Sequence, residues 1–320
     1  MKALQIEKYG DPAEVLQLVE LPEPDAPEAG EVTVQVLYAP LNHHDLFFIQ
    51  GFLAPRDLPT VPGNEGIGRV VAAGAGVDGV TVGDLIVFPL LSGTWRERLN
   101  VAAAGMFPLP AADLEQLSML GSNTPTAGLI LSEFAEVKKG DWVAQDSANG
   151  GVGRNFIALA KLRGLRSINI VRSEESAAEV LAAGGDIAVV HGADTASRLR
   201  AEIGDERVAV AADSLGGDVA ATLVELLSPG GAIVSYGNVS GEGVDGNSPV
   251  VVDKGITVAG IFVGSFDYAT KVAPIVREAA PLVQDGSLAT PIAAVYGLEH
   301  IQEAIVHLTR GGKILLRISK

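Results

Sequence analysis

The 320-residue chain contains no cysteine. That excludes a disulfide framework, a thiolate zinc site and a cysteine nucleophile. It also fits a reducing compartment, and we expect a cytoplasmic protein. Basic residues are scarce: 23 Lys and Arg face 39 Asp and Glu, a formal net charge of −16. An acidic surface of this kind disfavours nucleic acid or an anionic membrane as partner. No apolar run is long enough to span a bilayer, and the opening MKALQIEKYGD has no apolar signal core. Internal repeats and low-complexity tracts are absent too. The length suggests two domains with room for a large core.

One stretch organises the rest. From Trp142 to Arg172 the sequence reads WVAQDSA, NGGVG, RNFIALAKLRG and LRSINIVR, which predicts strand, tight turn, helix and strand. Val152, Phe156, Leu159 and Ala160 recur at i, i+4, i+7 and i+8, one apolar stripe facing a sheet. Gly164 follows as a left-handed cap. The connection is a βαβ unit, right-handed by rule.

Such a unit binds phosphate for a physical reason. Unpaired N–H groups and the positive end of the helix dipole converge where Gly151, Val152 and Gly153 begin the helix. Ala148-x-Gly150-x-x-Gly153 is the dinucleotide fingerprint with Ala at its first position. Asn149 completes the turn. At the end of the second strand, where an acidic residue would accept from a ribose hydroxyl, stand Arg172 and Ser173. A guanidinium and a hydroxyl suit a 2′-phosphate, hence NADPH. The competing reading is a solvated Arg172 beside Glu174 or Glu175, either of which suits a ribose.

Around this unit the chain changes character. EVTVQVLY alternates Val32, Val34, Val36 and Tyr38 against Thr33 and Gln35, the pattern of a half-buried strand. NHHDLFFIQG predicts a short helix stopped by Gly51. Glycine-punctuated strands follow from Gly63 to Phe88, the spacing of a small, partly open barrel. Arg96, Glu97 and Arg98 read as a solvated edge, and Asp113 with Gln116 as a capping box. Beyond Val143 helix and strand alternate, which predicts a parallel sheet covered on both faces. After GITVAGIFV come a helix from about Asp267 to Gln284, a second helix in LEHIQEAIVHLTRGG and a last strand, KILLRIS.

With Asn42 and Asp45 of NHHD, IQG at 49–51, GNEG at 63–66, GTWR at 93–96, Asn123 with Thr126-Ala127, and SINIVR at 167–172, the chain resembles the medium-chain dehydrogenase/reductase superfamily over essentially its whole length. Within it, the zinc-independent branch of mitochondrial-type 2-enoyl thioester reductases and quinone oxidoreductases is the most similar. The resemblance implies an α/β fold. A GroES-like, partly open β-barrel catalytic domain spans 1–120 and 264–320, and a Rossmann doubly wound parallel sheet spans 121–263. It implies a homodimer, paired through sheet edges near GITVAGIFV. By position, Asn149, Gly150, Gly151, Val152 and Gly153 would hold the pyrophosphate. Arg172 and Ser173 would hold the 2′-phosphate. Asn123 and Thr126 would lie by the nicotinamide or its ribose, with Tyr236, Gly237 and Asn238 alongside. Backbone at Phe262 and Val263 would meet the carboxamide, and Lys313 would stand near the cofactor; for Tyr236 and Phe262 plain core packing is the rival reading.

Two departures from the family pattern stand out. The catalytic zinc positions hold Asn42, Asn64 and Ser122, not a zinc ligand set, so no metal is expected. The branch places a Tyr shortly after IQG, and here Leu53 occupies that place. Catalytic donors are then sought at Asn42 and at His43 or His44, only one of which can face a pocket. The expected activity is NADPH-dependent reduction of a C=C bond conjugated to a carbonyl, in an enoyl thioester, an enone or a quinone. Quinone oxidoreduction and NADPH binding without catalysis are the alternatives.

Overall fold

The computed structural model describes residues 1–53 and 55–319. The chain divides into two compact units, Met1–Ser122 with Phe266–Lys320, and Asn123–Ser265. The first unit opens with β1 (Lys2–Gln5), α1 (Pro12–Val15), β2 (Gln17–Glu20), β3 (Glu31–Leu41) and α2 (His43–Ile49). It continues through β4 (Ile67–Ala73), β5 (Leu85–Val87), β6 (Arg98–Ala102) and the single-turn α3 (Leu114–Leu117). Asp113 caps α3 by accepting from the backbone N–H of Glu115 and Gln116. The reciprocal half of the expected capping box is not made, because the Gln116 amide pairs with the Thr290 backbone instead.

The second unit alternates α4 (Asn123–Glu133), β7 (Trp142–Gln145), α5 (Gly151–Leu162), β8 (Arg166–Val171), α6 (Glu174–Ala182), β9 (Ile187–Val190) and α7 (Thr195–Ile203). Then come β10 (Val208–Asp213), α8 (Gly217–Leu226), β11 (Ala232–Ser235), α9 (Pro249–Lys254) and β12 (Thr257–Gly260). All pairings are parallel, in the order β12-β11-β10-β7-β8-β9. In a doubly wound sheet of this order the chain reverses direction across the sheet between β7 and β10, which is where a ligand crevice opens. The α5 stripe buries Phe156, Leu159 and Ala160. Gly164 follows the helix at φ 70°, the expected left-handed cap.

The chain returns to the first unit through a wide π-type turn (Tyr268–Val272), α10 (Ala273–Gln284), β13 (Ile292–Gly297), α11 (Ile301–Arg310) and β14 (Lys313–Arg317). Its main sheet runs β13-β14-β3-β4-β5. On the edge of β3 away from β4, residues 38–41 pair with β14 and residues 31–35 with β6. One long strand thus serves three partners, which curls the sheet toward an open barrel. The buried stripe of β3 departs from strict alternation. Val32, Val34 and Val36 are fully buried, but a register shift follows Val36, and Ala39 and Leu41 continue the core in place of Tyr38. Tyr38 turns toward Arg317, whose Nε donates to its hydroxyl at 3.2 Å.

Candidate functional site

In the second unit, the turn after β7 is built by sterics. Gly153 lies where an added Cβ would fall 2.4 Å from the Ala148 carbonyl oxygen, so only glycine lets α5 start this close to the strand. A Cβ on Gly151 would meet the Asn123 side-chain amide at 2.5 Å. Asn123 opens α4, and its neighbour Thr124 donates to Asn155 Oδ1 at 2.6 Å, while Asn155 Nδ2 reaches the Gly151 carbonyl at 2.8 Å. The first turns of α4 and α5 are thereby locked together with Gly151 between them. Thr126 is buried in α4. Asn149 donates its amide to Ser176 Oγ at 3.2 Å and its carbonyl accepts from Arg154 Nε.

The left-handed residue in this turn is Ser147, at φ 47°, a conformation unusual outside glycine. It sits beside a clamp across the crevice. Asp146, fully buried, accepts from the backbone N–H of Ser214 (2.9 Å) and Leu215 (3.1 Å) and from Ser214 Oγ (2.8 Å). Asp213 accepts from Gly216 N–H and Ser235 Oγ. Burial raises the Asp146 carboxyl, and the neighbouring Asp213 raises it further, against the pull of the Ser214 bonds. This pair ties the ends of β7 and β10 and was not foreseen from the sequence, where Asp146 and Asp213 are 67 residues apart.

Downstream, Ser173 caps α6 through a bond from Ser176 N–H. Arg172 is exposed, with no hydrogen bond or ion pair among the described residues. Tyr236 is half-buried at the end of β11, and its desolvated phenol is pushed above its ordinary range. Gly237 follows it and Asn238 is exposed. Phe262 is 38% exposed, so it is not a packed core residue, whereas Val263 is buried.

The first unit gathers a second set. β3 ends at Leu41, and Asn42 starts α2. Because Leu41 pairs with Ile314, the antiparallel register brings Lys313 beside Asn42. Its ammonium donates to Asn42 Oδ1 at 2.6 Å and lies 3.6 Å from Glu65 Oε1. Asn42 Nδ2 donates to the same Glu65 oxygen at 2.7 Å. Asp45, one turn into α2, accepts from Asn42 N–H (2.8 Å), Asn64 N–H (3.1 Å) and Asn64 Nδ2 (2.6 Å). Asp45 and Glu65 are fully buried. Burial lifts the Asp45 carboxyl to about 7 against these bonds, and it also raises Glu65 against the nearby Lys313 charge.

Gly63 shapes the loop that delivers Asn64 and Glu65. It adopts φ 106°, and a Cβ would strike Trp95 and Thr94. Of the two histidines, His43 is exposed and His44 faces the cluster. Desolvation holds the His44 imidazole down to about 4, outweighing the attraction of Glu65. Its Nε2 is buried without a hydrogen-bond partner, as is Glu65 Oε2. Glu65 lies in the GNEG motif, and nothing in the sequence signals its pairing with Lys313. Leu53 is half-buried beyond α2.

A zinc ion does not fit these residues. Both ends of the Asn42 amide are engaged, the Asn64 amide is held on Asp45, and the Lys313 ammonium already brings positive charge to that place.

Two family models match: the alcohol dehydrogenase GroES-like domain over residues 28–111 and the zinc-binding dehydrogenase over residues 151–278. A mitochondrial enoyl-[acyl-carrier-protein] reductase of Caenorhabditis elegans is 34% identical over 268 residues, covering 82% of this chain and 77% of the relative. The one of Rattus norvegicus is 30% identical, covering 95% and 84%. The structure of Escherichia coli quinone oxidoreductase complexed with NADPH superposes with a TM-score of 0.82 at 27% identity, covering 99% and 100%. The chain therefore belongs to the medium-chain dehydrogenase/reductase superfamily, in its zinc-independent branch. It is an oxidoreductase of the group that includes enoyl thioester and quinone reductases. No helix among the described residues is long and apolar enough to cross a membrane.

Proposed function

We propose that this protein reduces a C=C bond conjugated to a carbonyl, with NADPH as hydride donor and an enoyl thioester as its substrate class. The observation that carries the reading is the donor set around Asn42. The position that a metal would use holds the engaged Asn42 amide and the Lys313 ammonium, which are no zinc ligands, beside a neutral imidazole, and these groups can donate hydrogen bonds to an oxygen. NADPH fits the second unit, where Gly151 and Gly153 keep the helix start free of side chains and the unpaired Arg172 is available to a 2′-phosphate. Asn149, Gly150, Val152 and Ser173 would complete that cradle, with Asn123, Thr126, Tyr236, Gly237, Asn238, Phe262, Val263 and Lys313 toward the rest of the cofactor.

When bound, NADPH supplies the hydride for the β-carbon. As negative charge develops on the carbonyl oxygen, it needs donors already in place. His44, neutral at pH 7, offers an imidazole N–H, and its Nε2 has no competing partner. Asn42, held between Lys313 and Glu65, orients the cluster. His43 is set aside because it faces solvent. The α-carbon then takes a proton from a side chain or water.

Quinone oxidoreduction is the second reading, favoured by Leu53 at the place of the expected phenol. Initial rates of NADPH oxidation with crotonyl thioester, 1,4-benzoquinone and a simple alkenal test both. Thioester turnover supports the proposal, quinone turnover alone favours the second reading, and tight NADPH binding without turnover removes catalysis. We further propose a homodimer. β12 is an edge strand with Val258 40% exposed, and such an edge needs covering. A monomeric mass by light scattering at micromolar concentration would count against it.

A further inference from the structure

The first unit holds two cations that the reaction above does not use. Arg96 belongs to GTWR, and its expected place on a solvated edge is not what the structure shows. It is half-buried, and its Nε donates to the Gly93 carbonyl at 3.0 Å. Arg56, exposed, sends Nη2 to the Leu91 carbonyl at 2.7 Å. Both guanidiniums are therefore pinned by backbone oxygens of one loop, residues 89–96. That loop is itself fixed: Leu91 adopts φ 67° and its N–H donates to Asn64 O at 2.8 Å. Asn64 in turn is held on Asp45, so the two arginines stand on the frame that carries the candidate donors.

Neither arginine has a carboxylate partner among the described residues. In a chain with 39 acidic and 23 basic residues, this is an unusual place to leave two positive charges unneutralised. Burial lowers the Arg96 guanidinium, and the charge of Arg56 lowers it further. Like charges held near one another without a counter-ion are an unfavourable arrangement that a bound anion relieves. Each arginine commits one N–H to the loop out of five, which leaves forked donors of the geometry that grips a phosphate. An open depression of about 670 Å³ lies against Arg56, lined by Pro55, Arg56, Asp57 and Thr60. Asp57 is in that lining, but it forms no ion pair with either arginine.

We infer that Arg56 and Arg96 form an anion subsite that takes a phosphate group of the substrate's acyl carrier. The inference rests on the thioester reading above and sharpens it. The enzyme would distinguish thioesters on a phosphate-bearing carrier from the same acyl group on a neutral thiol, and from quinones.

Steady-state kinetics with crotonyl-coenzyme A and with crotonyl-N-acetylcysteamine, which has the same reacting group and no phosphate, provide the test. Arg56→Gln should raise KM for the coenzyme A thioester about three- to tenfold with kcat unchanged, and leave the neutral thioester unaffected. Arg56→Gln/Arg96→Gln should raise it further, Arg96→Lys should recover part of the loss, and 0.5 M salt should abolish the difference between substrates. Equal changes for both thioesters, or none for either, would overturn the subsite. Calorimetric titration of coenzyme A alone separates this outcome from failure of the thioester reading. Should no thioester be turned over, weaker coenzyme A binding by the double variant still supports the subsite. Equal binding by wild type and double variant overturns it.

Discussion

Replacing Gly153 by Ala should harm this protein although alanine is the better helix former. In a helix interior the exchange favours Ala by about 1 kcal/mol. Here the new Cβ would fall 2.4 Å from the Ala148 carbonyl oxygen and 2.6 Å from its C and Cα. These are main-chain atoms in the turn that already holds Ser147 at positive φ, so no side chain can rotate away. Either α5 lifts from β7 or the turn deforms. Overpacking of this kind costs about 1–3 kcal/mol, enough to cancel the propensity gain and leave a net loss. The effect on NADPH should be larger, because the N–H groups at the start of α5 move with the helix. Gly150→Ala is a control for the midpoint alone, since Gly150 itself lies in the cradle: its φ is −76° and the nearest atom to an added Cβ is Ser147 O at 3.1 Å. Denaturant midpoints and fluorescence titration with NADPH read both quantities. If Gly153→Ala binds NADPH as tightly as wild type with an unchanged or raised midpoint, the close approach at Ala148 does not shape the cradle.

NADPH should bind at least tenfold tighter than NADH, about 1.4 kcal/mol, and Arg172→Ala should remove most of that preference; equal affinities for the two cofactors in the unmutated protein would refute the role of Arg172. His44 is held down to about 4 in the folded chain against 6.5 when exposed, so the unfolded state takes up its proton first as pH falls. Its contribution to stability is fully present above pH 6.5 and is lost on descending toward 4, and His44→Gln should flatten that part of the stability–pH curve; an unchanged slope would mean that His44 is not held neutral. Leu53→Tyr should raise turnover of enoyl thioesters more than of quinones, since one preorganised donor at the oxygen is worth about 2.7–4 kcal/mol. Unchanged or equally altered rates on the two substrates would remove position 53 from the site.

What the sequence disclosed was local. The βαβ unit, the cap at Gly164 and the parallel alternation follow from spacing within about 30 residues, and each is present. Longer-range features were hidden. Asn42 and Lys313 are 271 residues apart, and only the β3–β14 register makes them neighbours. The period of β3 misassigned Tyr38, because a register shift moves the stripe onto Ala39 and Leu41 and alternation alone cannot foresee it. Gln116 stood at the right spacing for a capping box, but Thr290, 174 residues away, took its amide. The choice between His43 and His44 was open in the sequence, since adjacent helical residues differ in direction while nothing local says which direction is inward.

The cluster around Asn42 also explains how the fold keeps its shape with the metal ligands replaced. Two buried carboxyls, Asp45 and Glu65, would be a heavy burden in a low-dielectric interior. Asp45 is supported by three N–H groups, two of them backbone, which need no counter-ion. Glu65 instead shares its Oε1 between the Asn42 amide and the Lys313 ammonium. Lys313 is thus a built-in positive charge, fixed by strand register, where it offsets Glu65 and holds Asn42. One oxygen of Glu65 and the Nε2 of His44 are left unsatisfied in an otherwise fully bonded cluster. Buried polar atoms seldom stay unpaired without a functional reason. On the proposed reaction, a carbonyl oxygen placed against His44 would satisfy that nitrogen and receive the donor its reduction needs.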